Sequence, residues 1–184
     1  FESNNTIMVE RSGATQFARV TWYCIEFTEG VNVQRGITTM KDNVTAKNIT
    51  FSQSVNTSKA FVILQNRGAW PQTRALTEGL YAVSTLPDNT TLLLDRRTNG
   101  DRITAVTYQY QIVEFQTDAK VQSGMSTILY NQATVNATLA SPIADMNKAF
   151  LITQSCGGND TDLGSATAGS LIDGVDSLYS VRGN

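Results

Sequence analysis

The chain has 184 residues, of which 41% are hydrophobic and 16% are charged, with a net charge of −2, two cysteines and no histidine. This charge balance lacks the basic surface of nucleic-acid-binding proteins. The missing histidine removes the usual general base and the commonest metal ligand, and two cysteines cannot form a structural zinc site. No apolar run approaches the roughly 18 residues of a membrane span. We therefore predict a protein that is not an enzyme, holds no cofactor, does not bind nucleic acid and does not insert into a membrane.

The first predicted elements are two strands on either side of a turn at Ser12-Gly13. Alternate residues from Val20 to Cys24 are apolar and would share one face of a strand. Ile25 and Phe27 then fall on the opposite face. This change of face predicts a β-bulge or a strand that crosses between sheets.

The chain contains an internal repeat with an offset of about 88 residues. Residues 26–52 align without gaps with residues 114–140, and nine of the 27 positions are identical. Chance gives about two identities at average residue usage. One extra residue later, Lys59–Gln65 aligns with Lys148–Gln154. Such self-similarity is typical of a duplicated structural unit.

The repeat also extends upstream, where Thr6–Arg11 resembles Thr91–Arg96. Two copies nearly fill the chain, so we predict two domains, residues 1–86 and 87–184. The boundary falls in the segment Leu86–Asn89, whose Pro, Asp and Asn residues favour a turn.

The second copy repeats the strand pattern of the first. One predicted strand face carries four apolar residues, namely Val106, Tyr108, Tyr110 and Ile112. Val113 and Phe115 then change sides, as in the first copy. Before this strand, Asn99-Gly100 is a strong signal for a β-hairpin. Further on, Ser141–Lys148 is a candidate short helix with a proline in its first turn.

Short alternating strands with turn signals about every 8–12 residues predict an all-β fold. We expect each copy to be an antiparallel β-sandwich of about six or seven strands, immunoglobulin-like or jelly-roll-like. The predicted architecture is therefore two such sandwiches in tandem.

The N-x-[ST] pattern of N-glycosylation occurs seven times, at Asn4, Asn43, Asn48, Asn56, Asn89, Asn136 and Asn159. Fourteen asparagines, each with a roughly one-in-five chance of a suitably placed Ser or Thr, predict about three. A glycosylated, secreted surface explains the excess, and covalent glycans would add solubility to a weakly charged chain. An Asn/Thr-rich β protein also accumulates such triplets through composition alone.

The two cysteines, Cys24 and Cys156, are not equivalent in the repeat, because Cys24 aligns with Ile112 and Cys156 with Arg67. A disulfide between them would link the two copies, or two subunits, in an oxidising compartment. The alternative is two unrelated thiols, of which Cys24 would be a small hydrophobe on an apolar strand face. A redox pair is not expected, since the chain has no C-x-x-C motif.

The segment Gly157–Gly164 is similar to one turn of a calcium-binding nonapeptide repeat, with Asp160 and Asp162 as candidate ligands. Such turns bind calcium when several are stacked. A plain glycine-rich turn is the favoured interpretation, and we predict no metal.

Several charged residues are candidates for structural roles. Glu26 and Glu114 are equivalent in the repeat, so we expect them to accept backbone or Arg/Lys hydrogen bonds rather than to catalyse. Arg96, Arg97 and Arg102 flank the predicted hairpin among aspartates, which predicts a solvated turn or a contact between subunits.

Four aromatic residues are candidates for stacking on sugars. Trp22, Tyr108 and Tyr110 lie on predicted apolar strand faces and are better explained as core residues. Trp70 lies beside a proline in a predicted loop, so it is the better candidate for a sugar-binding surface.

A Thr/Asn-rich tandem β-sandwich with frequent sequons resembles the filament, stalk and surface-layer proteins of cell exteriors. It is also similar to fibre and appendage proteins of virions. The resemblance implies an extracellular or cell-surface location and self-association, often by lending a strand to a neighbour's incomplete sandwich. The candidate donors are Asn5–Arg11 and Ser170–Val175, unless both pair within their own domain.

We therefore predict a structural subunit of an extracellular, N-glycosylated filament or surface array. One alternative is a virion fibre, tail or capsid-accessory protein with a receptor-binding surface. The other is a carbohydrate-binding or adhesion module that does not polymerise.

Overall fold

The computed structural model of the protein describes residues 23–68, 82–96, 105–127 and 134–154. These residues form six strands and one short 3₁₀ turn, Met146–Lys148. The strands are β1 (Val31–Met40), β2 (Ala46–Thr50), β3 (Ala60–Gly68), β4 (Val83–Thr85), β5 (Thr91–Asp95) and β6 (Val106–Phe115). The prediction of an all-β fold is confirmed.

The first sheet has the order β1-β6-β3, and both pairs are antiparallel. The central strand, β6, keeps one register against β1 over its whole length, from Val31 opposite Phe115 to Met40 opposite Val106. The predicted bulge in this strand is therefore wrong. Val113 does change face, but it stays buried, because its cross-strand partner is Phe61 and aromatic rings cover that side of the sheet.

The second sheet has the order β2-β5-β4, also antiparallel. β4 and β5 are joined by the turn at 86–90 that the sequence predicts. Asp88 closes this turn, because its carboxylate accepts hydrogen bonds from the backbone N–H and the hydroxyl of Thr90, at 2.8 and 3.0 Å. The short polar turn matches the tendency of Asp to bind its own backbone two residues on.

One hydrophobic core takes side chains from both sheets. Leu92 and Leu94 on β5 are fully buried, as are Tyr108 and Ile112 on β6. Burying each large apolar side chain contributes roughly 1.5–3 kcal/mol, so these alternating residues fix which face of each strand turns inward.

The strands do not separate into two sets at residue 86. β1 and β3 pair with β6, and β2 pairs with β5, so strands from both sides of the predicted domain boundary share each sheet. The predicted boundary lies in the connection between β4 and β5 of one sheet.

The predicted hairpin at Asn99-Gly100 does not join paired strands. The flanking strands β5 and β6 belong to different sheets. Leu92 and Leu94 on β5 and Tyr108 on β6 contribute to the core between them. Residues 97–104 themselves lie outside the described residues.

Residues 119–154 resemble β1, β2 and β3 in sequence, but their described part does not form the equivalent strands. Residues 119–127, 134–145 and 149–154 form no strand within the described ranges. The predicted helix at Ser141–Lys148 is limited to the 3₁₀ turn, whose first N–H groups are capped by Asp145. Residues 23–27, predicted as part of a strand, are also without strand structure, so that prediction is wrong for them.

Candidate functional site

The side chain of Arg96 is fully buried and holds the connection between β1 and β2. Its Nε donates to the carbonyl of Val44 at 2.6 Å, and one terminal nitrogen donates to the carbonyl of Lys41 at 2.5 Å. The backbone N–H of Arg96 donates to the Thr45 carbonyl at 2.8 Å. The predicted solvated turn is therefore wrong for Arg96, since backbone carbonyls replace its water. Arg97 and Arg102 lie outside the described residues.

Glu114 on β6 has the structural role that the repeat predicts. Its carboxylate accepts a hydrogen bond from the backbone N–H of Asn56 at 2.7 Å. The Asn56 side chain in turn accepts from the N–H and the hydroxyl of Ser58, at 3.0 and 2.7 Å. Together these bonds tie the loop before β3 to the central strand. Glu26 is exposed in the segment before β1, and its equivalent role stays a prediction.

All of the predicted glycosylation residues within the described ranges are exposed. They are Asn43, Asn48, Asn56, Asn89 and Asn136. Asn43 has a positive φ of 59°, which asparagine tolerates in tight turns. Asn48 lies in the middle of β2, opposite Leu93 on the outward face of the second sheet. Asn4 and Asn159 lie outside the described residues, and glycosylation at every sequon stays a prediction.

Asn56 and Asn89 lie in adjoining loops at one end of the second sheet. The N–H of Val55 donates to the carbonyl of Asn89 at 2.8 Å, and the N–H of Phe51 donates to the carbonyl of Thr90 at 3.0 Å. A glycan on each of these asparagines would cover the same end of the molecule.

Cys24 is a free, exposed thiol. It is therefore not the buried hydrophobe that its strand pattern predicts, because residues 23–27 do not pack as a strand in this structure. Cys156 lies outside the described residues, so its predicted pairing with Cys24 stays a prediction. The weak calcium candidates Asp160 and Asp162 lie outside as well.

The aromatic residues of β6 are core residues, as predicted. Tyr108 is fully buried, and Tyr110 packs partly buried against the same cluster. Trp22 and the sugar-binding candidate Trp70 lie outside the described residues.

The described residues were compared with the requirements of a metal site, a titrating site and a membrane span. Within the described ranges, no group of three or more Cys, Asp or Glu side chains is placed to hold a metal ion. The pKa of Asp88 is lowered from its ordinary value of 3.8, mainly by the backbone N–H of Thr90 and next by the hydroxyl of Thr91. No helix in the described part of the chain has the length and apolar character needed to cross a membrane.

The most unusual surface is a set of apolar side chains whose repeat equivalents are buried. Leu139 is 48% exposed, whereas the aligned Phe51 is 8% exposed. Leu151 is 65% exposed, whereas the aligned Val62 is 7% exposed. Further exposed apolar side chains in this part of the chain include Met125, Val135 and Phe150. We call residues 119–127 and 134–154 the open segment.

The end of the open segment is anchored to the folded sheets by Gln154. Its side-chain oxygen accepts from the N–H and the hydroxyl of Ser84 on β4, at 2.9 and 2.6 Å. Its side-chain nitrogen donates to the carbonyl of Val62 on β3 at 2.8 Å. A single amide thus joins the edges of the two sheets, and Phe150 adds an edge-to-face contact with Phe61 at 6.1 Å.

A second unpaired apolar segment precedes β1. Tyr23 and Ile25 are exposed, and Phe27 makes an edge-to-face contact with Phe115 at 6.1 Å. Ile25 is 75% exposed, whereas the aligned Val113 on β6 is 6% exposed. We call residues 18–27 the leading segment, of which residues 23–27 are described.

Comparison of the chain with protein-family models, with curated proteins and with solved structures finds no match in any of the three. Sequence reasoning had no signal for the anchoring role of Gln154 or for the burial of Arg96, because both depend on which backbone carbonyls the fold brings near.

Proposed function

We propose that the protein is a structural subunit of an extracellular, N-glycosylated filament or surface array. The observation that supports this most is the open segment, in which Leu139 and Leu151 are exposed although their repeat equivalents, Phe51 and Val62, belong to the core. A subunit that associates with neighbours buries such a surface on assembly, and apolar burial is the main driving force of association.

Two further observations support the proposal. The five described sequon asparagines are all exposed, as attachment of glycans requires. The buried residues of both sheets form one cluster, as expected if residues 31–115 are a β-sandwich and the repeat encodes a second one.

Negative-stain imaging of the native material tests the proposal. We expect filaments or regular arrays, and a uniformly monodisperse monomer would contradict it. The intact mass tests glycosylation separately. Material from a glycosylating host should exceed the chain mass of 20.0 kDa, and enzymatic removal of N-glycans should restore that value.

A further inference from the structure

The open segment has the same local hydrogen bonds as the first copy, although it lacks strands. The side chain of Gln34 binds the backbone of Gln53 through both its nitrogen and its oxygen, at 2.8 and 3.3 Å. The side chain of Gln122 binds the backbone of Ser141 in the same two ways, at 2.9 and 2.7 Å. Both contacts span 19 residues, and the two glutamines are equivalent in the repeat.

A second arrangement also recurs at aligned positions. The Asn56 side chain accepts from the N–H of Ser58 at 3.0 Å, and the Asp145 side chain accepts from the N–H of Asn147 at 3.0 Å. Before β3, the Lys59 N–H donates to the carbonyl of Asn56, and the aligned Lys148 N–H donates to the carbonyl of Asp145. The described residues of the open segment therefore have turns like those of the first copy, although they are not part of a sheet.

The element that the open segment lacks is the central strand. In the first sheet, β6 lies between β1 and β3 and pairs with both. The aligned equivalents of β1 and β3 are residues 119–128 and 149–157, and no strand lies between them in the described ranges. The sequence equivalent of β6 is the leading segment, because residues 18–27 align with 106–115.

We propose, on the basis of the filament function above, that the leading segment of a second copy of this chain inserts into the open segment as its central strand. Thr6–Arg11, which resembles Thr91–Arg96, would accompany it and pair with residues 134–138, as β5 pairs with β2. One subunit thus lends a pair of strands, and the next completes a second unit around them.

The lent strand comes from another copy because the described parts of the two segments do not pair as strands within one chain. Residues 23–27 and residues 149–154 are both described, and neither pairs with the other or with another strand. Ile25 and Leu151 would be neighbours in the completed unit, yet both are mostly exposed. Since donor and acceptor are different segments of the chain, each subunit can donate to one neighbour and accept from another, which gives an open polymer.

The register of the lent strand follows from the register of β6. Val33 lies opposite Val113, so Val121 should lie opposite Ile25 of the neighbour. Val62 lies opposite Ile112, so Leu151 should lie opposite Cys24 of the neighbour. These positions place apolar side chains from both subunits on shared faces.

A glycine that contacts a tyrosine ring in the first sheet has an equivalent glycine in the open segment with open space beside it. The Tyr110 ring occupies the space beside Gly36, where a Cβ would overlap its hydroxyl group. Gly124, the equivalent of Gly36, has no atom within 4 Å of the position of a Cβ. In the completed unit, Trp22 of the neighbour would take the place of Tyr110.

Directed disulfide formation tests this register. The variant Leu151→Cys, combined with Cys156→Ser, leaves Cys24 as the second thiol. The aligned pair, Val62 and Ile112, does not exchange ladder hydrogen bonds, because the Val62 carbonyl points away from β6 to Gln154. Such a pair has Cα atoms about 4.5 Å apart, close enough for a disulfide. Mild oxidation should give a ladder of covalent multimers on a non-reducing gel, at multiples of the subunit mass.

The matched control is Ile152→Cys, also with Cys156→Ser. The neighbouring position on a strand faces the opposite side of the sheet, so this thiol should not reach Cys24. We expect at least a tenfold lower yield of multimers than for Leu151→Cys under the same oxidation.

Each outcome decides between the alternatives. A ladder from Leu151→Cys alone supports the lent strand. A cross-linked monomer means that the chain closes on itself and overturns the second copy as donor. Filaments without any cross-link overturn this inference and leave the proposed function standing, whereas monomers in imaging overturn both.

Discussion

The ring of Tyr110 on β6 lies against Gly36 on β1, in the space that a larger side chain would need. Gly36→Ala should therefore destabilise the folded chain, because the new methyl group forces the Tyr110 ring out of its position. Overpacking of this kind costs about 1–3 kcal/mol. Urea denaturation, followed by tryptophan fluorescence, measures the change. A free energy of unfolding equal to that of the wild type would contradict the contact.

Gly124→Ala should separate folding from assembly. The position has open space in the single chain, so the unfolding free energy should stay within about 0.5 kcal/mol of the wild type. In the completed unit, however, the methyl group would meet Trp22 of the neighbour and hinder insertion of the lent strand. We expect a higher critical concentration for filament formation, measured by sedimentation. The result that contradicts this prediction is assembly that is as efficient as for the wild type.

Arg96 should be the most sensitive charged residue of the described core. Arg96→Met removes the donors to the carbonyls of Val44 and Lys41 and leaves those acceptors without a partner from this side chain. Hydrogen bonds to a charged group contribute about 1.5–3 kcal/mol each, so we expect a loss of at least 2 kcal/mol in thermal or urea unfolding.

The control for Arg96 is Lys41→Met in the same connection. The Lys41 side chain is exposed, and only its backbone carbonyl takes part in the contact. Its replacement should change the unfolding free energy by less than about 0.5 kcal/mol. Equal losses for both variants would mean that losing any positive charge in this region destabilises the fold, and would contradict a specific role for the hydrogen bonds of Arg96 to Val44 and Lys41.

The sequence predicts the strands better than it predicts their partners. Alternation from Val106 to Ile112 identifies β6 and its inward face, because burial on one side leaves a period of two in the sequence. The same alternation does not say that β6 pairs with β1 and β3, which lie 38 or more residues away along the chain. Local pattern contains no information on such long-range pairing.

The candidate site also combines features that the local sequence predicts with features that depend on the fold. The repeat identifies the equivalence of Leu151 with Val62, but only the structure shows that one is exposed and the other buried. The prediction for Arg96 is wrong because three arginines near aspartates have the composition of a solvated turn. Its burial depends on carbonyl groups of the β1–β2 connection, which no local signal near Arg96 reveals.

Gln154→Ala should weaken the attachment of residues 149–154 to the two sheets. Without the side-chain oxygen, the N–H of Ser84 loses its acceptor and becomes open to exchange with water. Loss of about 1.4 kcal/mol of protection corresponds to tenfold faster amide exchange, which hydrogen-exchange NMR measures directly. Gln65→Ala is the matched control, since Gln65 is its repeat equivalent and is exposed. Unchanged exchange at Ser84 in Gln154→Ala would refute the anchoring role.

The turn between β4 and β5 should contribute to the acid sensitivity of the protein through Asp88. Hydrogen bonds from Thr90 and Thr91 stabilise its carboxylate and lower its pKa below 3.8 in the folded state. The unfolded chain therefore binds a proton at higher pH than the folded chain does, so this contribution is complete above about pH 5 and is lost as the pH falls through the folded pKa. Asp88→Asn keeps an acceptor for the Thr90 N–H but cannot titrate. Its unfolding free energy should fall less steeply than that of the wild type between pH 5 and pH 2.5, as measured by urea denaturation at each pH. Parallel pH profiles for the two proteins would show that the Asp88 carboxylate is not stabilised by the turn.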